Sequence, residues 1–320
     1  MSETGQDTGK AAELLKAGKL VAIPTETVYG LAAIATDSEA VLSVFEAKKR
    51  PRFDPLIIHV HSLESVSKYA VLEDKMLKAL AAKFWPGPLT LLLPKKPIIP
   101  DLVSSGLNRV AVRIPNHSLT LELLKKLDAP LAAPSANPFG YVSPTRAEHV
   151  QKQLGDQVSY ILDGGPCGIG LESTIAGVEN GQLCIYRLGG LSLEDIKACC
   201  GSYHLILNES GDPSAPGQLK SHYSPMKALD FGPLPELLSK AHSTRSCLIL
   251  FGKSDIKSDE RFEVMNLSES GDMREAARNL FALLRQADES DCGQILCEKL
   301  PDTGLGRAIN DRLKRAAAKD

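Results

Sequence analysis

One stretch limits the possible folds more than any other. From Asn208 to Gln218 the chain reads N-E-S-G-D-P-S-A-P-G-Q, a density of Gly, Pro, Ser and Asp that sustains neither a helix nor a central strand. A chain of 320 residues is long for one core and natural for two. On both sides of the break, short apolar runs alternate with helical periods, so both parts belong to the α/β class. The expected organisation is a loose tail at 1–9, a first domain at 10–207, a linker at 208–225 and a smaller domain at 226–320.

In the first part, Lys10 to Ala17 reads as a helix with Leu14 and Leu15 on its buried side, stopped at Gly18. Leu20 to Ile23 is a short strand entering the polar turn P-T-E-T-V-Y-G. Ser38 is placed as the N-cap of a helix striped by Val41, Leu42 and Phe45, which Pro51 stops. Strands at Leu56–Val60, Leu89–Leu93, Val110–Ile114, Tyr160–Leu162, Thr174–Val178 and Leu183–Arg187 alternate with helices at Lys75–Phe84, Leu119–Lys126 and Ser143–Leu154. That alternation predicts a mixed sheet. Beyond the break, strands at Cys247–Phe251 and Ile295–Cys297 accompany helices at Met273–Gln286 and Leu305–Ala317.

Net charge is −2, and each part is close to neutral. No general attraction to RNA or anionic lipid is encoded, so a basic site has to be a local concentration. No apolar run approaches a membrane span, and Met1 to Lys10 lacks a signal-peptide core. The seven cysteines are odd in number and show no CxxC pair. A structural zinc or a disulfide framework is not expected, and a reducing cytoplasm fits.

Lys48, Lys49, Arg50 and Arg52 crowd into five positions at a helix end. Cations there suit the helix dipole, which is sufficient reason for an ordinary helix to carry them. Arg113 in V-A-V-R-I-P and Arg187 in C-I-Y-R-L-G are different. Arginine in an apolar strand is costly to bury unless an anion meets it, and guanidinium matches phosphate and carboxylate in a bidentate way. Ser135-Ala136-Asn137 between prolines is either a turn or a polar pair at a strand's carboxyl end, where open α/β sheets bind ligands. The Gly164–Gly170 turn followed by Leu171-Glu172-Ser173-Thr174 admits the same two readings. His59 and His61 form an H-x-H without an evident third ligand, so no metal site is assigned; His59 is a core or substrate-facing residue and His61 a solvent-facing one. No pairing suggests a covalent protein intermediate. An RNA-binding protein gripping tRNA or rRNA through K-K-R-P-R stays open as an alternative, although aromatics make up only 5% of the chain. So does a related carbamoyl transferase.

Taken together, P-T-E-T-V-Y-G-L, the K-x-R of Lys48 and Arg50, D-P-L-I-I-H-V, F-W-P-G-P-L-T, V-A-V-R-I-P, A-P-S-A-N and E-S-T-I closely resemble the YrdC-like family of threonylcarbamoyl-adenylate synthases. The match runs from Ala11 to about Gly190 in the family's motif order. H-Y-S-P at His222–Pro225 and G-L-G-x-A-I-N-D-R-L at Gly304–Leu313 resemble its long, two-domain branch. The resemblance implies a twisted mixed-sheet YrdC-like domain followed by a smaller Rossmann-like α/β domain. It implies an enzyme that makes threonylcarbamoyl-AMP from L-threonine, bicarbonate or carbon dioxide, and ATP, with Mg²⁺ bound to the nucleotide and pyrophosphate released. The product would pass to a tRNA threonylcarbamoyl transferase for the t6A modification at position 37, with little or no direct tRNA binding by this chain.

By the same resemblance, Lys48, Arg50, Ser135 and Asn137 face the phosphates and the reacting carbamate. Arg50, Asp54, Arg109, Ser135, Ser143, Arg187 and Tyr223 fall where the family holds ATP. Thr27, His59, Arg113, Ala133 (through its backbone) and Ser173 fall where it holds threonine, with Arg113 as partner of the carboxylate. Asp54 stands where the family often has Asn, and Arg109 replaces a smaller residue. The segment Asn208–Ser224 is expected to fold over the nucleotide as a lid.

Overall fold

The computed structural model describes residues 2–201, 204–207, 221–241 and 245–318. The expected break at Asn208–Gln218 lies outside them. The first part contains β1 (Glu3–Gly5), β2 (Val21–Ile23), β3 (Gly30–Ile34), β4 (Ile57–His59), β5 (Leu89–Pro94), β6 (Arg109–Arg113), β7 (Leu131–Ala132), β8 (Tyr160–Leu162), β9 (Thr174–Glu179), β10 (Gln182–Arg187) and β11 (Leu205–Leu207). These form one sheet in the order β1-β8-β2-β3-β7-β4-β6-β5-β9-β10-β11. The pairs β4/β6 and β5/β9 are parallel, whereas β2/β3, β4/β7 and β9/β10 are antiparallel. The sheet is therefore mixed.

Its helices are α1 (Thr8–Lys16), α2 (Ser38–Lys48), α3 (Leu63–Tyr69), α4 (Lys75–Phe84), α5 (Asp101–Ser104), α6 (Ser118–Leu127), α7 (Ala147–Leu154) and α8 (Leu193–Cys200). Their apolar stripes close separate cores on the sheet. Leu77 and Leu80 of α4 join Val110 and Val112 of β6, and Leu123 and Leu124 of α6 join Val21 and Ile23 of β2. The second part holds β12 (Leu229–Gly232), α9 (Leu234–Ser239), β13 (Ser246–Leu250), β14 (Phe262–Asn266), α10 (Met273–Glu289), β15 (Gln294–Glu298) and α11 (Gly306–Ala317). Its four strands run parallel in the order β12-β15-β13-β14. No described helix is long and apolar enough to cross a membrane.

The two parts share a core. Val28, Val142, Leu171 and Tyr223 from one side pack with Leu280, Phe281, Ile309 and Leu313 from the other. At Gly170, φ is 79° and an added Cβ would fall 2.5 Å from the Arg278 Cα on α10, so only glycine lets the chain pass so near that helix.

Three expectations are corrected. The expected loose tail at 1–9 is ordered from residue 2 on: Glu3–Gly5 pairs in parallel with Tyr160–Leu162, and α1 begins at Thr8, capped by the Asp7 carboxylate on Gly9 N and Lys10 N. Asp37 rather than Ser38 caps α2, because a carboxylate one position earlier reaches Glu39 N and Ala40 N. The helix expected from Ser143 begins at Ala147.

Candidate active site

α2 ends on Lys49 in the left-handed conformation, φ 53°. That turn splits the basic cluster: Lys48 and Arg50 go inside, while Lys49 and Arg52 stay exposed. The two buried cations are held in different ways. Arg50 donates to the carbonyls of Asp54 (3.1 Å) and Pro55 (2.9 Å) and meets the Asp54 carboxylate at 2.8 Å. Lys48 donates to the carbonyls of Ser135 and Asn137 and so fixes the S-A-N turn. Burial, and secondarily the neighbouring Arg50 charge, hold the Lys48 pKa well below the usual lysine value.

A cavity of about 50 Å³ opens beside these groups. Thr27, His59, Arg113, Ala133 and Ser173 line it together with Arg50, Ser135, Arg187, His222 and Tyr223. The parallel register of β4 and β6 sets His59 opposite Arg113. Arg113 donates to Thr27 Oγ1 (2.8 Å) and to the Gly87 carbonyl (3.1 Å), and lies 2.7 Å from the Glu26 carboxylate. Burial first, and the Arg113 charge second, push His59 down to about 3, so it is a neutral imidazole at physiological pH. Arg187 donates to the Ser173 carbonyl (3.0 Å) and hydroxyl (3.1 Å). Ser173 in turn shares a 2.7 Å hydrogen bond with Thr90. Donors and cations thus dominate the polar lining, with the Glu172 carboxylate among them.

His222 and Tyr223 close the roof. His222 N donates to the Arg315 carbonyl of α11 at 3.3 Å, and Ser224 N to the Gly140 carbonyl at 2.8 Å. Between them Tyr223 adopts φ 65°, a left-handed conformation that a bulky side chain holds only under strong surrounding constraint. Its ring stacks on Phe281 at 5.6 Å and meets the His222 ring at 4.1 Å. Pockets for drug-sized ligands measure roughly 300 Å³ or more, so with this roof in place the cavity is small.

The residues singled out in the sequence fall into three groups. Arg50, Ser135, Arg187 and Tyr223, with Thr27, His59, Arg113, Ala133 and Ser173, line the cavity. Lys48, Asn137 and Ser143 stand behind its wall. The Asn137 amide donates to the Pro138 and Tyr141 carbonyls, and Ser143 to the Glu172 carboxylate at 2.5 Å. Asp54 also stands behind, gripping Arg50. Arg109 is not brought to the cavity. Four residues of strand put it about 13 Å from Arg113, where it pairs with Glu179 (2.8 Å) and the Tyr186 hydroxyl (2.9 Å). Glu26, Glu172 and His222 belong to the site without having been assigned to it. Each is embedded in a motif already noted, in P-T-E-T, L-E-S-T and H-Y-S-P.

Residues 13–189 match the sequence model of the family described as Telomere recombination, and 191–318 that described as Threonylcarbamoyl-AMP synthase, C-terminal domain. The threonylcarbamoyl-AMP synthase of Pyrococcus abyssi is 39% identical across 96% of this chain and 93% of its own length. The chain belongs to the threonylcarbamoyl-AMP synthase family. The Bacillus subtilis member is 36% identical over 99% of this chain and 94% of its own length, so the two-domain form is shared from end to end. A crystal structure of P. abyssi Sua5 complexed with L-threonine superposes with a TM-score of 0.88 at 36% identity, covering 99% of this chain and 97% of that one. Within this family the cation-rich cavity is the natural place to look for the chemistry.

Proposed function

We propose that this chain is an L-threonylcarbamoyladenylate synthase, forming threonylcarbamoyl-AMP and pyrophosphate from L-threonine, bicarbonate or carbon dioxide, and ATP. The observation that carries the reading is one cavity that gathers three buried arginines, Arg50, Arg113 and Arg187, with the hydroxyls of Thr27, Ser135 and Ser173 and the Tyr223 ring. The arginines suit a carboxylate and a polyphosphate, and the hydroxyls a small hydroxy amino acid.

In this reading Arg113 receives the threonine carboxylate, exchanging or sharing its contact with Glu26, while Thr27, His59, Ser173 and the Ala133 backbone meet the remaining polar atoms. The free amine adds carbon dioxide and loses a proton to become a carbamate. A carbamate oxygen then attacks the α-phosphate, and the bond to the β-phosphate oxygen breaks as pyrophosphate leaves. Arg50 and Arg187 offset the charge that develops on the phosphates, with Ser135 beside them. Lys48 and Asn137 hold the S-A-N turn in position, and Ser143 orders Glu172. An anion arriving near Lys48 would favour its charged form. Mg²⁺ enters as part of the substrate, bound to ATP. Neutral His59 can accept a hydrogen bond without adding charge. Closure of Tyr223 over the nucleotide would exclude water from the mixed anhydride. The product would be consumed by a transferase acting on tRNA.

Pyrophosphate release by the purified chain with Mg-ATP and bicarbonate, surveyed over single amino acids, tests this. Release with threonine alone, dependent on bicarbonate, is expected. Release with a different amino acid would overturn the substrate assignment, and no release with any would overturn the reaction.

A further inference from the structure

Side chains of the second domain back the wall of the cavity. Arg312 of α11 is 1% exposed. Its Nε donates to Glu172 Oε2 at 2.9 Å, its Nη2 to the Leu188 carbonyl at 2.8 Å, and its Nη1 to Asp311 at 2.9 Å. Its guanidinium also lies over the Tyr223 ring, 5.0 Å from the centroid. Glu172 and Tyr223 both line the cavity. A second arginine of this domain, Arg285 of α10, donates to the backbone carbonyls of Val142 and Ser143, and Ser143 Oγ holds the other oxygen of Glu172. Two helices of the second domain therefore converge on a single carboxylate of the first.

We infer that Arg312 is a positioning residue for nucleotide binding in the cavity, acting as the counter-ion that keeps Glu172 from opposing an incoming phosphate. This rests on the synthase reading above. Glu172 is a buried carboxylate in a cavity built to receive anions, and it acts electrostatically on Arg187, as Arg312 does with opposite sign. With Arg312 in place the carboxylate is neutralised and both its oxygens are engaged. Without it, Glu172 repels the phosphates and draws the Arg187 guanidinium toward itself. The same guanidinium fixes the face of Tyr223, so charge balance and roof placement depend on one residue. On this account the second domain completes the active site, although the reacting atoms touch only the first domain and the segment joining them.

The test is ATP binding by the full chain, measured by calorimetry without threonine or bicarbonate, so that it is independent of product formation. Arg312→Gln is expected to weaken ATP binding by roughly 5- to 150-fold, the range of typical coupling between sites. Arg312→Gln combined with Glu172→Gln is expected to recover most of that loss, because the carboxylate whose charge needed balancing is gone. A purely structural role for Arg312 predicts no such recovery. Arg312→Lys keeps the charge, and with it the fold should the neutral variant not fold. It cannot span Glu172 and Leu188 together, so its affinity is expected to fall below wild type. Wild-type affinity in Arg312→Gln, or an Arg312→Lys variant or a double variant as weak as Arg312→Gln, overturns the proposal. A wild-type chain that binds ATP yet makes no adenylate would refute the reaction while leaving the Arg312 result readable.

Discussion

Replacing Arg113 by Gln separates the two substrates. The side chain hydrogen-bonds Thr27 and Gly87 and meets Glu26, and none of these contacts involves Arg50 or Arg187. Its proposed work is a bidentate grip on the threonine carboxylate. Hydrogen bonds to a charged partner contribute about 1.5–3 kcal/mol each, so losing two costs roughly 3 kcal/mol at the lower end, or about a hundredfold in threonine affinity. Glu26 then stands near the substrate carboxylate without its cation, which adds repulsion. The assay is initial-rate adenylate formation with each substrate varied in turn. Arg113→Gln should raise the threonine KM about a hundredfold and change the ATP KM far less. Glu26→Gln, which removes a competitor for Arg113, should require no more threonine than wild type, and the double variant should be less impaired than Arg113→Gln. Equal loss for both substrates, or a larger effect on ATP, would refute the reasoning.

Lys49→Asn with Arg52→Ser should leave adenylate formation at the wild-type rate, since both side chains face solvent; a severe loss would contradict their placement outside the cavity. Histidine in an unfolded chain titrates near 6.5, whereas native His59 titrates at about 3. Between those values the unfolded state holds more protons, so stability falls as pH drops, by at most about 1.4 kcal/mol per pH unit from this residue. His59→Gln should flatten the loss of urea midpoint across that window, and an unchanged slope would contradict the neutral buried assignment. Gly170→Ala should destabilise the fold by more than about 1 kcal/mol in a denaturant titration, because φ 79° and the Arg278 backbone 2.5 Å from the new Cβ leave it no room; a wild-type midpoint would show that the two parts do not pack as described.

Strands that form continuous apolar runs, such as Leu89–Leu93, were legible because nothing but a buried strand or a short helix suits them. Glu3–Gly5 gave no signal, since a polar edge strand is held by backbone pairing to β8 rather than by its own side chains. Gly30–Ile34 was missed for a related reason: G-L-A-A-I is too short and too alanine-rich to declare a period. In the site, the short motifs carry local geometry, and the residues inside them cluster around one cavity. Arg109 misled because strand identity says nothing about which end of β6 reaches the ligand. Lys48 and Asp54 are adjacent to Arg50 in space as in sequence, but only side-chain partners distinguish a wall from a support behind it. Arg285 drew no notice, and Arg312 stood inside the G-L-G-x-A-I-N-D-R-L motif without an assigned role, since their partners lie 140 and more residues away in sequence. No local pattern encodes such a contact.

The central claim is that threonine carbamate and the α-phosphate of ATP are joined in this cavity. The most direct measurement supplies ¹⁴C-bicarbonate and α-³²P-ATP together with threonine, and isolates the product within its lifetime. The account predicts one species carrying both labels in equal amounts, formed in step with pyrophosphate, and abolished by omitting threonine. Labels that separate into free AMP and unreacted carbon, or a product that carries carbon without the α-phosphate, would contradict it.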